Sequence, residues 1–238
     1  GINLDQCTDV TIGVVQANII SGSPSGYGIY ATASENITIY KNIIGLNEAG
    51  TAPLQNGKAG IYLDATNNSN IGDGTAVNGN VISGNGEEGI VVTNAATDVV
   101  INGNFIGLDI TGTLARGNGK SGISMTGANS NDILNNLISG NTENGIYVKS
   151  VATEQNTISG NFIGLSGTGT ALGNGQDGIY LDECIDNTID NSNSSTLQEV
   201  VQGKRIEEFV PAERNAADTT VSATTLAGGQ DNNDINII

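Results

Sequence analysis

The 238-residue chain contains no His and no Trp, one Met, two Cys, three Pro and eight Lys and Arg against 25 Asp and Glu. The missing imidazole excludes His-ligated zinc sites, Ser-His-Asp triads and His general bases, whatever the fold. A formal charge of −17 argues against nucleic acid as a partner, because affinity for phosphate backbones comes largely from clustered basic side chains. No run approaches the roughly 18 to 20 apolar residues of a membrane-spanning helix. No charged-then-apolar leader precedes Gly1, and the chain opens directly on repeat material, which reads as a mature product or an excised piece. Helical periodicity is also missing, and the density of Gly and Asn would penalise helices throughout.

What is present is self-similarity, the first feature to look for in such a chain. A Gly-Ile-x-apolar unit recurs at Gly1, Gly28, Gly60, Gly89, Gly122, Gly145 and Gly178. About ten residues on comes a polar-to-Ile step (Thr11-Ile12, Thr38-Ile39, Asn70-Ile71, Val100-Ile101, Asp132-Ile133, Thr157-Ile158, Thr188-Ile189). An Asn-x-Ile step follows at Asn18, Asn42, Asn80, Asn104, Asn136 and Asn161. Three short strand signals per repeat describe one coil of a three-faced solenoid. Each strand is too short to bury anything alone, so coils must stack in parallel around a column of Ile, Leu and Val. The fold class expected is all-β, a three-faced β-solenoid of about seven recognisable coils over residues 1–191. Residues 192–238 lose the pattern and read as divergent coils or a C-terminal cap.

The repeats alternate in length. Coils entered through Asn18, Asn80 and Asn136 continue as a short Ile-Ser-Gly turn. Those entered through Asn42, Asn104 and Asn161 carry longer loops (45–60, 107–122, 164–178), each with Gly-Thr and then Asn-Gly. The loops are expected to project as a row from one edge. Asn104-Phe105-Ile106-Gly107-Leu108-Asp109, with Thr111-Gly112-Thr113, Asn118-Gly119 and Gly122-Ile123, followed by Asn136-Leu137-Ile138-Ser139-Gly140-Asn141, resembles the right-handed parallel β-helix repeats of bacterial secreted and cell-surface proteins, the pectate-lyase-like superfold. The resemblance implies a right-handed coil and an extracellular or cell-surface location. It does not choose among adhesins, polysaccharide-active enzymes and scaffolds.

Several residue columns carry candidate chemistry. The Asn column (Asn18, Asn42, Asn80, Asn104, Asn136, Asn161) reads as a structural amide ladder, since Asn donates, accepts and tolerates the left-handed backbone of sharp turns. In Gly-Ile-x-Leu the Ile and Leu point inward and x outward. That position holds Asn3, Tyr30, Tyr62, Val91, Ser124, Tyr147 and Tyr180, so Tyr30 neighbours Tyr62 and Tyr147 neighbours Tyr180. The tyrosines are a candidate platform for the sugar rings of a polysaccharide or cell-surface glycan; the plainer alternative is stacking that stabilises the sheet. Two residues on, the same face carries Asp5, Thr32, Asp64, Thr93, Thr126, Lys149 and Asp182. Asp64 and Asp182 are the candidate catalytic and ligand-binding carboxylates, but four coils at about 4.8 Å each hold them about 19 Å apart, against the roughly 5 to 9.5 Å a glycosidase needs.

A β-helix polysaccharide lyase is the enzymatic comparison, and that resemblance implies a basic proton-abstracting residue beside acidic calcium ligands. Here the repeats hold one Arg, Arg116, in a projecting loop, and the nearest acidic group is Asp182, Glu183 and Asp186, a weak calcium candidate without the ligand order of a dedicated loop. Asn47, Asp109 and Ser166, just after Gly-Leu, read as turn-forming side chains that bond nearby backbone. Cys7 and Cys184 fall six coils apart, about 29 Å, far beyond disulfide reach. The role expected is a non-catalytic structural or adhesive module that binds carbohydrate through the Tyr face. The alternatives are a polysaccharide lyase or glycoside hydrolase on the same face, and end-to-end self-association into a filament through the unpaired first strand.

Overall fold

A computed structural model describes residues 1–13, 15–75, 78–150, 152–190 and 220–221; apart from Thr220 and Val221, the divergent segment 192–238 lies outside the described residues. The strands run in three parallel sheets, and the chain visits each sheet once per coil. The first sheet contains β1 (Ile2–Asp5), β4 (Ile29–Thr32), β7 (Ile61–Asp64), β10 (Ile90–Thr93), β13 (Ile123–Thr126), β16 (Ile146–Lys149) and β19 (Ile179–Asp182). The second contains β2 (Thr11–Ile12), β5 (Thr38–Ile39), β8 (Asn70–Ile71), β11 (Val100–Asn102), β14 (Asp132–Leu134), β17 (Thr157–Ser159), β20 (Thr188–Asp190) and β21 (Thr220–Val221). The third contains β3 (Ile19–Ile20), β6 (Ile43–Ile44), β9 (Val81–Ile82), β12 (Phe105–Ile106), β15 (Leu137–Ile138) and β18 (Phe162–Ile163). Parallel strands joined by crossovers take the right-handed path, and the fold is a right-handed, three-faced parallel β-helix.

Strands this short form because registry is enforced from inside. Ile29, Ile61, Ile90, Ile123, Ile146 and Ile179 succeed one another through the first sheet. Each is at most 3% exposed, and they join the second and third sheets in one continuous core column. Each fully buried Ile contributes about 1.5–3 kcal/mol relative to exposure; a register slip would turn the whole set outward.

The Gly before that Ile is dictated by space. None of Gly28, Gly60, Gly89, Gly122 and Gly145 has a positive φ, yet a Cβ on any of them would lie within 2.5–2.8 Å of the following coil's Gly carbonyl oxygen and within 2.7–3.0 Å of an Ile Cγ2. The turn between second and third sheets works differently. The left-handed residue there is the one before the ladder Asn, as at Lys41 (φ 62°), Gly103 (75°), Asn135 (51°) and Gly160 (64°). The ladder asparagines themselves stay out of that region, so tolerance of a positive φ is not why Asn occupies them.

Hydrogen bonding is. Asn18 Nδ2 donates to Asn42 Oδ1 at 2.8 Å, and the pattern repeats from Asn42 to Asn80, Asn80 to Asn104, Asn104 to Asn136 and Asn136 to Asn161 at 2.8–3.0 Å. A second ladder follows the third sheet: Asn56, Asn85, Asn118, Asn141 and Asn174, linked at 2.9–3.0 Å. A shorter third runs through Asn131, Asn156 and Asn187. Nearly all of these amides are buried, where an unpaired polar group would be costly.

Candidate functional site

The outward side of the first sheet carries the tyrosines in strict register, Tyr30 against Tyr62 and Tyr147 against Tyr180. The rings of Tyr147 and Tyr180 stack at 5.5 Å with 7° between planes, and those of Tyr30 and Tyr62 sit at 5.7 Å, tilted by 37°. Tyr27, a turn residue outside the strand pattern, joins the second pair, its centroid 5.1 Å from Tyr30 and 4.9 Å from Tyr62. Lys58 Nζ lies 4.8 Å over the Tyr27 ring, a cation–π placement. All five rings remain half-buried.

Both clusters pair a Tyr hydroxyl with the Asp two positions further along the next coil. Tyr30 Oη donates to Asp64 Oδ2 at 3.2 Å, and Tyr147 Oη to Asp182 Oδ2 at 3.1 Å. Asp64 also accepts from Asn94 Nδ2 at 2.6 Å and from the Thr32 hydroxyl at 3.5 Å, and Asp182 forms an ion pair with Lys149 at 3.2 Å. Burial, with the Tyr27 and Asp64 charges behind it, pushes the Tyr62 phenol up; burial and the Asp182 hydrogen bond and charge do the same for Tyr147. The Asp182 hydrogen bond likewise raises Lys149. At neutral pH Tyr62 and Tyr147 are therefore uncharged phenols and Lys149 a cation.

Between the clusters, β10 and β13 present Val91 and Ser124, each only 9% exposed. The aromatic face is thus two patches, Tyr62 and Tyr147 being three coils or about 14 Å apart. Asp64 and Asp182 belong to different patches, so no pair of these carboxylates flanks one bond. Among the described residues no three Cys, Asp or Glu side chains converge on a point where a metal would sit. Cys7 and Cys184 pack against opposite ends of the core column, and no disulfide joins them.

The long loops pack over the third sheet as a row. Leu46 pairs with Pro53, Leu108 with Ala115 and Leu165 with Ala171 as antiparallel bridges. Successive loops are tied together: Ile110 N donates to Gly50 O at 2.9 Å and Gly167 N to Gly112 O at 2.7 Å. Arg116 links the second loop to the first, its Nε donating to Thr51 O. The residue after Gly-Leu closes each turn: Asn47 Oδ1 accepts from Thr51 N and Ala52 N, Asp109 Oδ1 from Thr113 N and Leu114 N, Ser166 Oγ from Thr170 N.

Asp109 is 3% exposed. Burial alone would raise its carboxyl, but hydrogen bonds from Leu114 N, the Thr111 hydroxyl and Thr113 N, with the Arg116 charge, outweigh it and hold the group below the usual carboxylate range. A depressed folded pKa stabilises the fold above the unfolded value near 3.9, and that contribution is lost as pH falls through the lower folded value. Asp109→Asn, which installs the first loop's own residue, is expected to keep the turn and flatten the acid limb of a Tm-against-pH curve. Asp109→Ala is expected to lower stability by about 1–3 kcal/mol at pH 7. An acid limb unchanged in Asp109→Asn would remove the carboxylate from this role.

Sequence reasoning missed the outward residues of the third sheet. The x of Asn-x-Ile is Ile19, Ile43, Val81, Phe105, Leu137 and Phe162, apolar in every coil although it points away from the core. The run itself was the signal.

The family model for NosD, described as a periplasmic copper-binding protein, matches residues 1–200. No curated protein matches the chain significantly.

Proposed function

The chain belongs to the NosD family, a periplasmic β-helix lineage, and we propose that it is a non-catalytic repeat module, extracellular or at the cell surface, that binds carbohydrate through its outward Tyr face. The observation that carries this reading is the duplicated constellation: Tyr30 with Asp64 and Tyr147 with Asp182, each with a second Tyr ring from the adjacent coil beside it, tilted in the first case and stacked in the second, at the same two positions of successive coils. Aromatic faces offer apolar area to a sugar ring at low entropic cost, and the carboxylates offer acceptors for its hydroxyls. Hydrogen bonding between Tyr and Asp fixes both partners beforehand, which lowers the cost of ordering them on binding.

Copper, named in the family's description, does not suit the donors of this chain. Thiolate and thioether ligands select Cu(I), and imidazole is the side-chain nitrogen donor that suits copper. The chain has no His, its one Met, Met125, is wholly buried in the core, and Cys7 and Cys184 stand about 29 Å apart. No step of the proposed role runs through copper.

The test is a glycan array with the native chain and a Tyr62→Ala/Tyr147→Ala/Tyr180→Ala variant, with circular dichroism as a folding control. Binding by the native chain that falls at least tenfold in a folded variant is expected. No glycan bound by the native chain, or equal binding by the variant, would overturn the reading. New reducing ends or unsaturated products would favour the polysaccharide-cleaving alternative.

A further inference from the structure

Between the third sheet and its loops lies a cavity of about 480 Å³ walled by Phe105, Leu137, Phe162 and the loop Leu165–Gly169. This lies within the size range of small-ligand sites, and no charged side chain lines it, in a chain of net charge −17. The neighbouring recess, beside Ile43, Val81 and Phe105, holds only about 160 Å³.

One position accounts for much of the contrast. Ile110 and Gly167 are equivalent: each lies two residues after the bridge-forming Leu of its loop and donates its N–H to the preceding loop's Gly carbonyl. The Ile110 side chain projects over the smaller recess and lines it; Gly167 puts no side chain over the larger one. Nothing in the backbone demands glycine there. Its φ is not positive, and a Cβ would meet only ordinary contacts, 3.5 Å to Gly112 O and 3.7 Å to Leu137 Cδ2.

The occupant follows from register. Phe105 pairs with Leu137 and Leu137 with Phe162, so the strand positions that carry the two half-buried phenyl groups are two coils or about 9.6 Å apart along the axis. One coil is a stacking distance in this molecule, as Tyr147 and Tyr180 show at 5.5 Å. A flat ring resting on Leu137 would lie about 4.8 Å from each phenyl, within the 4.5–7 Å range of aromatic pairs. The Ser166 and Thr168 hydroxyls, 2.9 Å apart, supply polar contacts at the wall. We infer that this cavity binds an uncharged aromatic ring, which completes an aromatic stack between Phe105 and Phe162.

Indole is a suitable probe, because a chain without Trp leaves its fluorescence unobscured. The native chain is expected to bind indole saturably with a blue-shifted emission. Gly167→Ile, which copies the neighbouring loop, is expected to fold with an equal or higher Tm and to weaken binding at least tenfold; Phe162→Leu is expected to weaken it without unfolding the chain. Cyclohexanol, a ring without a π face, is expected to compete at least tenfold less well than phenol. The assignment is overturned if the native chain shows no saturable shift, if folded Gly167→Ile binds as tightly as the native chain, or if cyclohexanol or a neutral methyl glycoside competes as well as phenol.

Discussion

Asn104→Leu is expected to cost about 3–5 kcal/mol of stability. Asn104 is wholly buried. Its Nδ2 donates to Ile71 O at 2.8 Å and Asn136 Oδ1 at 2.9 Å, while its Oδ1 accepts from Asn80 N at 3.0 Å and Asn80 Nδ2 at 2.8 Å. Leucine fills a similar space and satisfies none of these. Each buried group left without a partner costs about 1–3 kcal/mol. Some relief remains, because Asn80 Nδ2 also reaches Ile39 O and Asn136 Oδ1 still accepts Asn104 N. Urea unfolding followed by circular dichroism measures the loss. Asn18→Leu is the comparison: Asn18 is exposed, so a change below about 1 kcal/mol is expected. Similar losses at both positions would mean that the ladder does not derive its weight from burial.

The second large effect is steric. An Ala Cβ at Gly122 would stand 2.7 Å from Gly145 O, 2.7 Å from Ile138 Cγ2 and 2.9 Å from Asn141 Nδ2. Two of those atoms are backbone or fixed core, and the third is a rung of the second ladder. Overpacking a tight interior costs about 1–3 kcal/mol and occasionally more, and here coil spacing itself would have to yield, so about 3 kcal/mol is expected. Gly173 has no atom within 4 Å of a built Cβ and no positive φ, so Gly173→Ala should stay within about 0.5 kcal/mol. Thermal unfolding of the two variants side by side decides it. A Gly122→Ala protein as stable as the parent would show that neighbouring coils can separate at little expense.

These positions show what was readable beforehand. Gly-Ile and Asn-x-Ile recur closely enough that the coil, its three faces and the first Asn column follow from spacing alone. The second ladder was hidden because its members alternate between a short turn, as at Asn85 and Asn141, and the end of a long loop, as at Asn56, Asn118 and Asn174. Sequence separations of 29, 33, 23 and 33 residues disguise a constant rise. Tyr27 escaped because it lies in a turn that brings it back over the sheet. The pairing of Tyr30 with Asp64 and of Tyr147 with Asp182 depends on a diagonal step between coils, which a strand-by-strand reading does not supply. The cavity at Gly167 was invisible for a different reason: glycine in a loop reads as turn chemistry, and only its equivalence with Ile110 of the preceding loop shows it as a missing side chain.

In each ladder the amide of an earlier coil donates to the carbonyl of a later one, without exception among the linked pairs described. Backbone bonds between coils run both ways, as with Ile29 N to Gly60 O and Thr38 N to Val10 O, and their dipoles largely cancel. Those of the side chains add. The column is therefore a polar rod with an oxygen-facing sense at one end and a hydrogen-facing sense at the other. Flanking coils can continue it only head to tail, since an inverted junction would set carbonyl against carbonyl at one end and N–H against N–H at the other.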